Sequence, residues 1–266
     1  MQKRAESRKI VQNTGMLTSQ RKDYILKVLR ETGRVIAKDV SAELDLSEDT
    51  IRRDLRELAA EGKLQRVHGG ALPASPSVVN LAGRQQLAPE AKVAIGRAAA
   101  GMVRPGQVVI LDGGTTTLQL AMHLPLDLEA TVVTHSPTIA VALIDHPRIE
   151  VILIGGRLFK HSMVAVGAAA VEAIGRIRAD IYFMGVTGIH PQAGLSTGDL
   201  EEAHIKRALN ASAAETYALI TLDKLNTASP YVVAALTEID GIVVADEVSE
   251  KALKPFVRAG LMVTRA

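Results

Sequence analysis

The chain contains no cysteine and no tryptophan, and has only four tyrosines and three phenylalanines. Without thiols, disulfide frameworks, thiolate nucleophiles and cysteine-based zinc sites are excluded, which suits a reducing compartment. A core with so little aromatic bulk must rest on Ala, Val, Leu and Ile, and an apolar share of 47% supplies them. No apolar run approaches the roughly 20 residues of a membrane-spanning helix. Residues 1–18 are polar and basic with no apolar stretch, so they read as a flexible basic tail and not as a secretory signal. These absences together predict a cytoplasmic protein with no membrane partner. Nor is one sign of charge in excess, since the net charge is +2. Its distribution is uneven: residues 1–72 carry 15 basic against 11 acidic residues, and the remainder 16 against 18. His123, His135, His146, His161, His190 and His204 are scattered, with no helical ligand spacing beside a carboxylate, so no metal site and no cofactor are expected.

The N-terminal segment with this modest positive excess contains residues 47–71, SEDTIRRDLRELAAEGKLQRVHGGA. Ser47 is a good N-cap, and Gly62 sits where a helix would stop. Between them Ile51, Leu55 and Leu58 recur at helical spacing. Asp49, Arg53 and Arg56 point roughly the opposite way, with Thr50 and Arg52 flanking them. Upstream, Ser19 is placed to cap a first helix with Ile25, Leu26 and Leu29 inward, and Ala37–Asp45 reads as a second helix with Val40 and Leu44 inward. Residues 63–70 then form a β-wing in which Arg66 and His68 alternate with Leu64 and Val67, ending on Gly69 and Gly70. This is the order of a winged helix-turn-helix, spanning residues 19–72, whose recognition helix enters the major groove of duplex DNA. A charged helix on a solvated face is the plainer reading of TIRRD taken alone. Three correctly spaced helices followed by a basic hairpin favour DNA. The contact residues are then Ser47, Thr50, Arg52, Arg53, Arg56, Arg66, His68 and Gly69. A homo-oligomer, dimer or tetramer, is expected because such units read paired half-sites.

Residues 73–89, PASPSVVNLAGRQQLAP, read as a linker. From Glu90 onward short apolar runs alternate with helical stretches. The runs are 108–111, 131–134, 151–154, 181–184, 217–221, 241–244 and 261–264. That alternation predicts an α/β domain over residues 90–266 with a mostly parallel, Rossmann-like sheet. In such sheets ligands bind beyond the carboxyl ends of the strands.

Five loops fall there. Asp112-Gly113-Gly114-Thr115-Thr116-Thr117 either cradles an anion at a helix N-terminus or is a glycine-rich turn with a threonine cap. His135 and Ser136 either hydrogen-bond a hydroxylated ligand, or Ser136 caps the helix that Pro137 begins. Gly156-Arg157 offers a guanidinium for a phosphate. Thr187 and Thr197 precede a helix on which Glu202 and Lys206, four apart, either face a ligand or form a surface ion pair. Lys224 is placed to reach over the site. Together the loops predict a pocket for a small phosphorylated sugar.

TIRRDL with a wing ending in HGGA resembles the DeoR family of bacterial transcriptional regulators. The later segments LDGGTTT, VVTHS, LIGGR, Gly-Leu-Ser-Thr followed by Glu-Glu and Lys, and a late DK agree with it, from about residue 18 to the end. The resemblance implies a winged helix-turn-helix joined to an effector domain like the ribose-5-phosphate isomerase and CoA-transferase folds. It implies a sugar phosphate or related metabolite as effector, usually repression of a sugar-use operon, and oligomers. It also implies DNA contacts at Thr50, Arg52 and Arg53, and a phosphate at Gly113–Thr117. Two positions depart from the family pattern. His135 stands where Asn is common, and Thr187-Gly188-Ile189-His190 stands for Asp-Gly-Ile-Asp. A neutral imidazole is then expected to replace an amide or carboxylate partner. The alternative, a sugar-phosphate isomerase with a DNA-binding appendage, needs a base with acidic and lysine partners. Thr187 sits where the related isomerases are acidic, which disfavours catalysis. A DNA-binding adapter without a ligand would leave residues 113–156 as turn-shaping glycines only.

Overall fold

The computed structural model describes residues 17–75 and 81–266. Most of the expected tail, and residues 76–80 of the expected linker, lie outside the described residues. The chain forms two compact units that join at Ala74 and Ser75.

The N-terminal unit runs α1 (Thr18–Thr32), β1 (Val35–Ile36), α2 (Ala37–Leu44), α3 (Glu48–Ala60), β2 (Leu64–Val67) and β3 (Gly70–Pro73). Ile25 and Leu29 of α1, Val40 of α2, and Ile51, Leu55 and Leu58 of α3 close one core with Val35, Leu64 and Ala71. The hairpin β2–β3 pairs antiparallel from Leu64↔Pro73 to Val67↔Gly70, and β1 adds to β3. Two expectations change. Ser19 lies inside α1, whose cap is Leu17, because the Gln20 side chain takes the Leu17 N–H at 3.2 Å. Val67 is exposed, since it pairs beside the turn where no core remains to cover it.

The C-terminal unit begins with α4 (Leu81–Gln85) and α5 (Pro89–Ala100). It continues β4 (Val108–Leu111), α6 (Thr115–Met122), β5 (Ala130–Thr134), α7 (Pro137–Ala142) and β6 (Ile149–Leu153). A hairpin follows, β7 (Arg157–Phe159) and β8 (Val164–Val166), then α8 (Ala168–Ile174) and β9 (Ala179–Gly185). Next come β10 (Gly188–His190), β11 (Gly194–Thr197), α9 (Leu200–Ala211) and β12 (Ala213–Ile220). The chain ends with β13 (Tyr231–Ala234), β14 (Gly241–Val244), α10 (Glu250–Arg258) and β15 (Met262–Arg265). Seven strands form one sheet in the order β15-β14-β12-β9-β4-β5-β6, every neighbouring pair parallel.

Both faces of this sheet are covered, as an all-parallel sheet requires. Ile110, Tyr182, Met184, Ala218 and Ile242 point to one face, where α8, α9 and α10 contribute Ile174, Leu209 and Phe256. Val109, Leu111, Phe183, Leu219 and Val243 point to the other, where α5, α6 and α7 contribute Ile95, Leu120 and Ile139. The chain leaves β4 toward β5 and β6 on one side, then returns to β9 and continues toward β12, β14 and β15 on the other. The strand order therefore reverses between β4 and β9, which is where α/β sheets open a crevice for ligands.

The segment expected as a linker is partly built into this unit. Ser75 donates from its backbone to Ala228 O (3.2 Å) and from its hydroxyl to Thr187 O (2.5 Å). Leu81 N donates to His161 O at 3.0 Å, and α4 follows. Two small sheets, β7–β8 and β10-β11-β13, also went unseen in the sequence. Their strands have only three or four residues, too few to display a period.

Candidate functional site

On α3 the Ser47 hydroxyl accepts from Thr50 N at 3.2 Å and lies 2.9 Å from the Thr50 hydroxyl, so both residues act as the helix cap. Arg52, Arg53 and Arg56 are exposed. Arg52 is paired with Glu48 at 2.7 Å across one helical turn. Arg53 and Arg56 have no ion pair among the described residues, so their five-donor forks remain open. Arg66, His68 and Gly69 are exposed on the wing, with Gly69 at the β2–β3 turn. The remaining charge of the RRD triplet behaves differently. Asp54 is fully buried and takes a two-pronged bond from the buried Arg21 of α1, Nε to Oδ2 and Nη2 to Oδ1, the latter at 2.9 Å. It ties α3 to α1 and has no freedom to reach DNA. Lys22 adds bonds to Glu57 and Glu61, each at 3.0 Å, on the exposed flank of the same pair of helices.

In the C-terminal unit a cavity opens beside the β4–β9 switch point. It encloses about 700 Å³ of atom-free space, part of it open to solvent. Its floor is the turn from β4 into α6. Gly113 must be glycine, because a Cβ there would lie 2.1 Å from the Val164 side chain. Gly114 caps α6 at φ +139°, a conformation open to glycine. No side chain caps α6, so its first-turn N–H groups and positive dipole end face the cavity unopposed. The remaining walls come from Gly185, Val186 and Thr187 after β9, Thr197 after β11, Glu202 and Lys206 on α9, and Thr221, Asp223 and Lys224 after β12.

Asp112 lies beneath this floor, fully buried, as the centre of a polar network. Its Oδ1 accepts from Gly113 N (2.8 Å) and His135 Nε2 (2.9 Å). Its Oδ2 accepts from Tyr182 Oη (2.9 Å), Gly185 N (2.8 Å) and Lys206 Nζ (2.6 Å). Burial opposes the charge on Asp112, but Lys206 and the His135 hydrogen bond outweigh it and hold the carboxyl well below the usual carboxylate range. The Tyr182 hydroxyl is pushed well up, first by burial and then by the Asp112 charge. This hub fixes the loops after β4 and β9 against α9.

Several expectations are corrected here. Asp112 was expected on the effector, but protein donors already fill both of its oxygens. His135 was expected in the pocket as a neutral imidazole. Instead it is buried behind it, with Nδ1 on Ala165 O at 2.9 Å and Nε2 on Asp112. Both ring nitrogens are thus engaged by the protein, which leaves the ring no atom for a ligand. Ser136 is buried, and its hydroxyl donates to Met163 O at 3.1 Å without lining the cavity. Gly156 and Arg157 lie outside it too. Arg157 starts β7 and is exposed, while the far end of the same hairpin delivers Ser162 to the wall. Glu202 and Lys206 form no surface pair. Both are buried, and Lys206 goes to Asp112. Thr187 does line the cavity, but its hydroxyl is taken by Ser196 O (3.1 Å) and Ser229 Oγ (2.7 Å).

Gly113, Gly114, Thr115, Thr116, Thr117, Thr197, Glu202, Lys206 and Lys224 all reach the wall. Missed altogether were Ser75 and Arg84, hidden in the apparent linker, and Lys92 on α5. Lys92 did leave a signal, since it sits three residues before Ile95 and seven before Ala99, in the apolar register of its helix. Its ammonium donates to Arg84 O. Burial depresses Lys92 and Arg84, and drives Lys224 down to about 8 against the pull of Asp223. Neither the Lys224 ammonium nor the Glu202 carboxylate has a hydrogen bond or ion pair among the described residues.

Unpaired buried polar atoms are rare in native proteins and call for an explanation. Six side-chain atoms of this kind occur among the described residues, and five line this one cavity: Arg84 Nε and the hydroxyls of Thr116, Thr117, Thr197 and Thr221. Only Asn210 lies elsewhere.

A winged helix-turn-helix carrying open arginines, joined to an α/β unit with a polar cavity at its switch point, defines a DNA-binding regulator with a sensor domain. The chain belongs to the DeoR family. Residues 21–76 match the DeoR-like helix-turn-helix domain, and residues 87–246 match the DeoR C terminal sensor domain. Among curated relatives, the HTH-type transcriptional regulator GlpR of Haloferax volcanii is 35% identical, covering 85% of this chain and 89% of its own. The HTH-type transcriptional repressor GlcR of Bacillus subtilis is 32% identical over 89% and 92%. Among solved structures, ribose 5-phosphate isomerase A of Methanocaldococcus jannaschii overlays at a TM-score of 0.38 with 15% identity, covering 51% of this chain and 54% of that one. The protein is thus a transcriptional regulator and not an enzyme. No helix among the described residues is long and apolar enough to cross a membrane.

Proposed function

We propose that this regulator represses a carbohydrate-use operon from the cytoplasm, as a dimer or tetramer, and is controlled by a small phosphorylated sugar or related metabolite. Residues 19–72 read double-stranded operator DNA, and 90–266 hold the effector. Arg53 and Arg56 contact base edges, while Arg52, Arg66, His68 and the Gly69 backbone lie along phosphates. The names of the curated relatives, among them a putative aga operon transcriptional repressor of Escherichia coli O157:H7, support repression of a sugar operon.

The observation that carries the effector reading is the set of unpaired polar atoms around the open end of α6. A phosphate carries about 1.5–2 negative charges and three acceptor oxygens. Seated at Gly113–Thr117, it would take the first-turn N–H groups and the Thr116 and Thr117 hydroxyls. Thr197, Thr221 and the Glu202 carboxylate would hold sugar hydroxyls, and Lys224 would complete the anion's neutralisation. An effector alters DNA binding only through different affinities for the DNA-competent and incompetent arrangements.

Two measurements test this reading. Thermal unfolding against a panel of sugar phosphates is expected to show at least one that raises the midpoint of the sensor transition. A flat response to all would return the protein to a ligand-free adapter. In gel shifts Arg53→Ala is expected to lose specific operator binding while calorimetry shows its effector binding unchanged. Retained tight operator binding would remove α3 as the reading helix.

A further inference from the structure

We propose, on the reading of the chain as an oligomeric regulator given above, that two copies join along the outer edge of β6, strand to strand about a twofold axis at Val151. β6 closes one end of the seven-stranded sheet, and among the described residues no strand pairs with its outer side. Along a strand, alternate residues turn their backbone N–H and C=O to opposite sides of the ladder. Ile154 N donates to Thr134 O of β5 at 2.8 Å, so Glu150 and Ile152 face β5 as well. Ile149, Val151 and Leu153 therefore turn their backbone groups outward, as a row of open donors and acceptors.

Proteins blunt such edges with charge, proline or a cover. The opposite edge, β15, has such protection. Met262 N and Ala266 N donate inward, to Asp240 O and Val244 O. That leaves Val263 and Arg265 outward, and Arg265 is exposed. The three outward residues of β6 are all apolar. Ile152 and Leu153 are exposed, and so are Val141 and Ile144 on the α7 segment, which packs over β5 and β6. Ile144, at 76%, is the most exposed large apolar side chain among the described residues. Apolar side chains scattered singly over a surface need no explanation, but gathered beside an open strand they mark an interaction surface.

The strand is matched to its own copy. Two antiparallel strands exchange a pair of N–H···O bonds wherever outward-facing residues stand opposite each other. Aligned on Val151, β6 and a second β6 set Val151 against Val151 and Ile149 against Leu153. Every open group along the strand is then used, and no other register uses them all. The same alignment sets Glu150 against Ile152 of the second copy and never against Glu150, so no like charges meet. On the α7 side Ile149 and Val151 already pack with the core, and with Leu153 they form one apolar row continued by the copy. Such a contact is isologous, with the same patch on both subunits. It supplies the twofold symmetry that paired half-sites require of a helix-turn-helix protein.

Cysteine cross-linking and sedimentation velocity on the full chain decide this. The chain has no cysteine, so each introduced thiol reports on its own position. Residues paired across an antiparallel ladder bring their Cα atoms to about 5.5 Å, within the span of a disulfide. Val151→Cys is expected to give a covalent dimer under mild oxidation, and Met262→Cys, on the opposite edge, to give none. Val151→Pro is expected to halve the sedimenting mass. The Val151 N–H has no partner within its own sheet, so the fold accepts proline there while the central pair is lost. Exposed Ile152 gives a second test that spares the fold. Ile152→Glu would face Glu150 of the second copy and is expected to halve the mass, whereas Ile152→Lys is expected to keep it. An oligomer that survives both Val151→Pro and Ile152→Glu, with no cross-link at position 151, would overturn this surface and leave an oligomeric regulator standing. A wild type that sediments as a monomer, alone and with a DNA fragment it selects, would end both.

Discussion

Lys206 and Asp112 lie 94 positions apart and meet at 2.6 Å inside the sensor unit, one on α9 and the other at the end of β4. Their bond joins two walls of the cavity below the place where a phosphate would sit. Removing one partner of a buried pair leaves the other charged and alone, at a cost of roughly 3–5 kcal/mol. Asp112→Ala is therefore expected to lower the unfolding midpoint of the sensor unit strongly, as read by calorimetry, while the N-terminal unit keeps its transition.

The same pair sets an acid limit. The folded-state pKa of Asp112 is depressed, so its contribution is complete above the unfolded carboxylate value near 3.9. It is lost only as pH falls through the lower folded value. The sensor unit is expected to hold its stability down to about pH 4 and to lose it below that. Asp112→Asn is expected to flatten this acid limb in pH-dependent unfolding.

Lys224 behaves in the opposite sense. Its pKa is lowered to about 8, against an ordinary value of about 10.4. Between these values the unfolded chain binds the extra proton, so stability rises with pH across that window. Lys224→Met is expected to stabilise the ligand-free protein at pH 7, with an advantage that shrinks as pH passes 8 and climbs toward 10.4. Anion binding is expected to weaken as pH rises through 8 in the wild type and to be weaker but flat in the variant. Titration calorimetry across pH 7–9 reads both.

The Thr116 and Thr117 hydroxyls are buried and unpaired. A buried hydroxyl without a partner contributes desolvation cost and no bond, so replacing it by a methyl of the same shape is nearly neutral or stabilising. Thr116→Val and Thr117→Val are expected to keep or raise the unfolding midpoint. Each is expected to weaken effector binding by about 0.5–1.5 kcal/mol, or roughly two- to tenfold. Weaker stability with unchanged binding would reassign both to the core.

The two halves of the Arg53-Asp54 dipeptide are expected to fail differently. Arg53→Ala leaves the helix folded and removes a contact of about 1–3 kcal/mol to a base edge. Asp54→Ala abandons the buried Arg21 and is expected to unfold the N-terminal unit, lost from circular dichroism as well as from gel shifts.

What was readable in the sequence is what neighbouring residues decide. Ser47 sits three residues before the N–H it caps, and Ile51, Leu55 and Leu58 show their period within eight residues, so α3 could be placed without a structure. The β4–α6 loop was equally plain, because two glycines and three threonines stand together. Asp54 was not readable. It is charged yet holds a place on the buried face, and its reason, Arg21, lies 33 positions upstream. Lys92 carried the same contradiction on α5. His135 and Asp112 were expected on the ligand and lie behind the cavity instead, because their roles depend on partners at 165, 182 and 206, which spacing cannot reveal. Arg84 was hidden by its surroundings, since proline and glycine around it gave the composition of a connector to a segment that forms part of a wall.

Chain order has a consequence during synthesis. The core of the N-terminal unit closes with residues 25–71, whereas the cavity needs contributions from Ser75 through Lys224. At about 5–20 residues per second, some 150 further residues take roughly 8–30 s to emerge after the first unit can fold. Each newly made molecule can thus close its helix-turn-helix core well before its sensing cavity is complete.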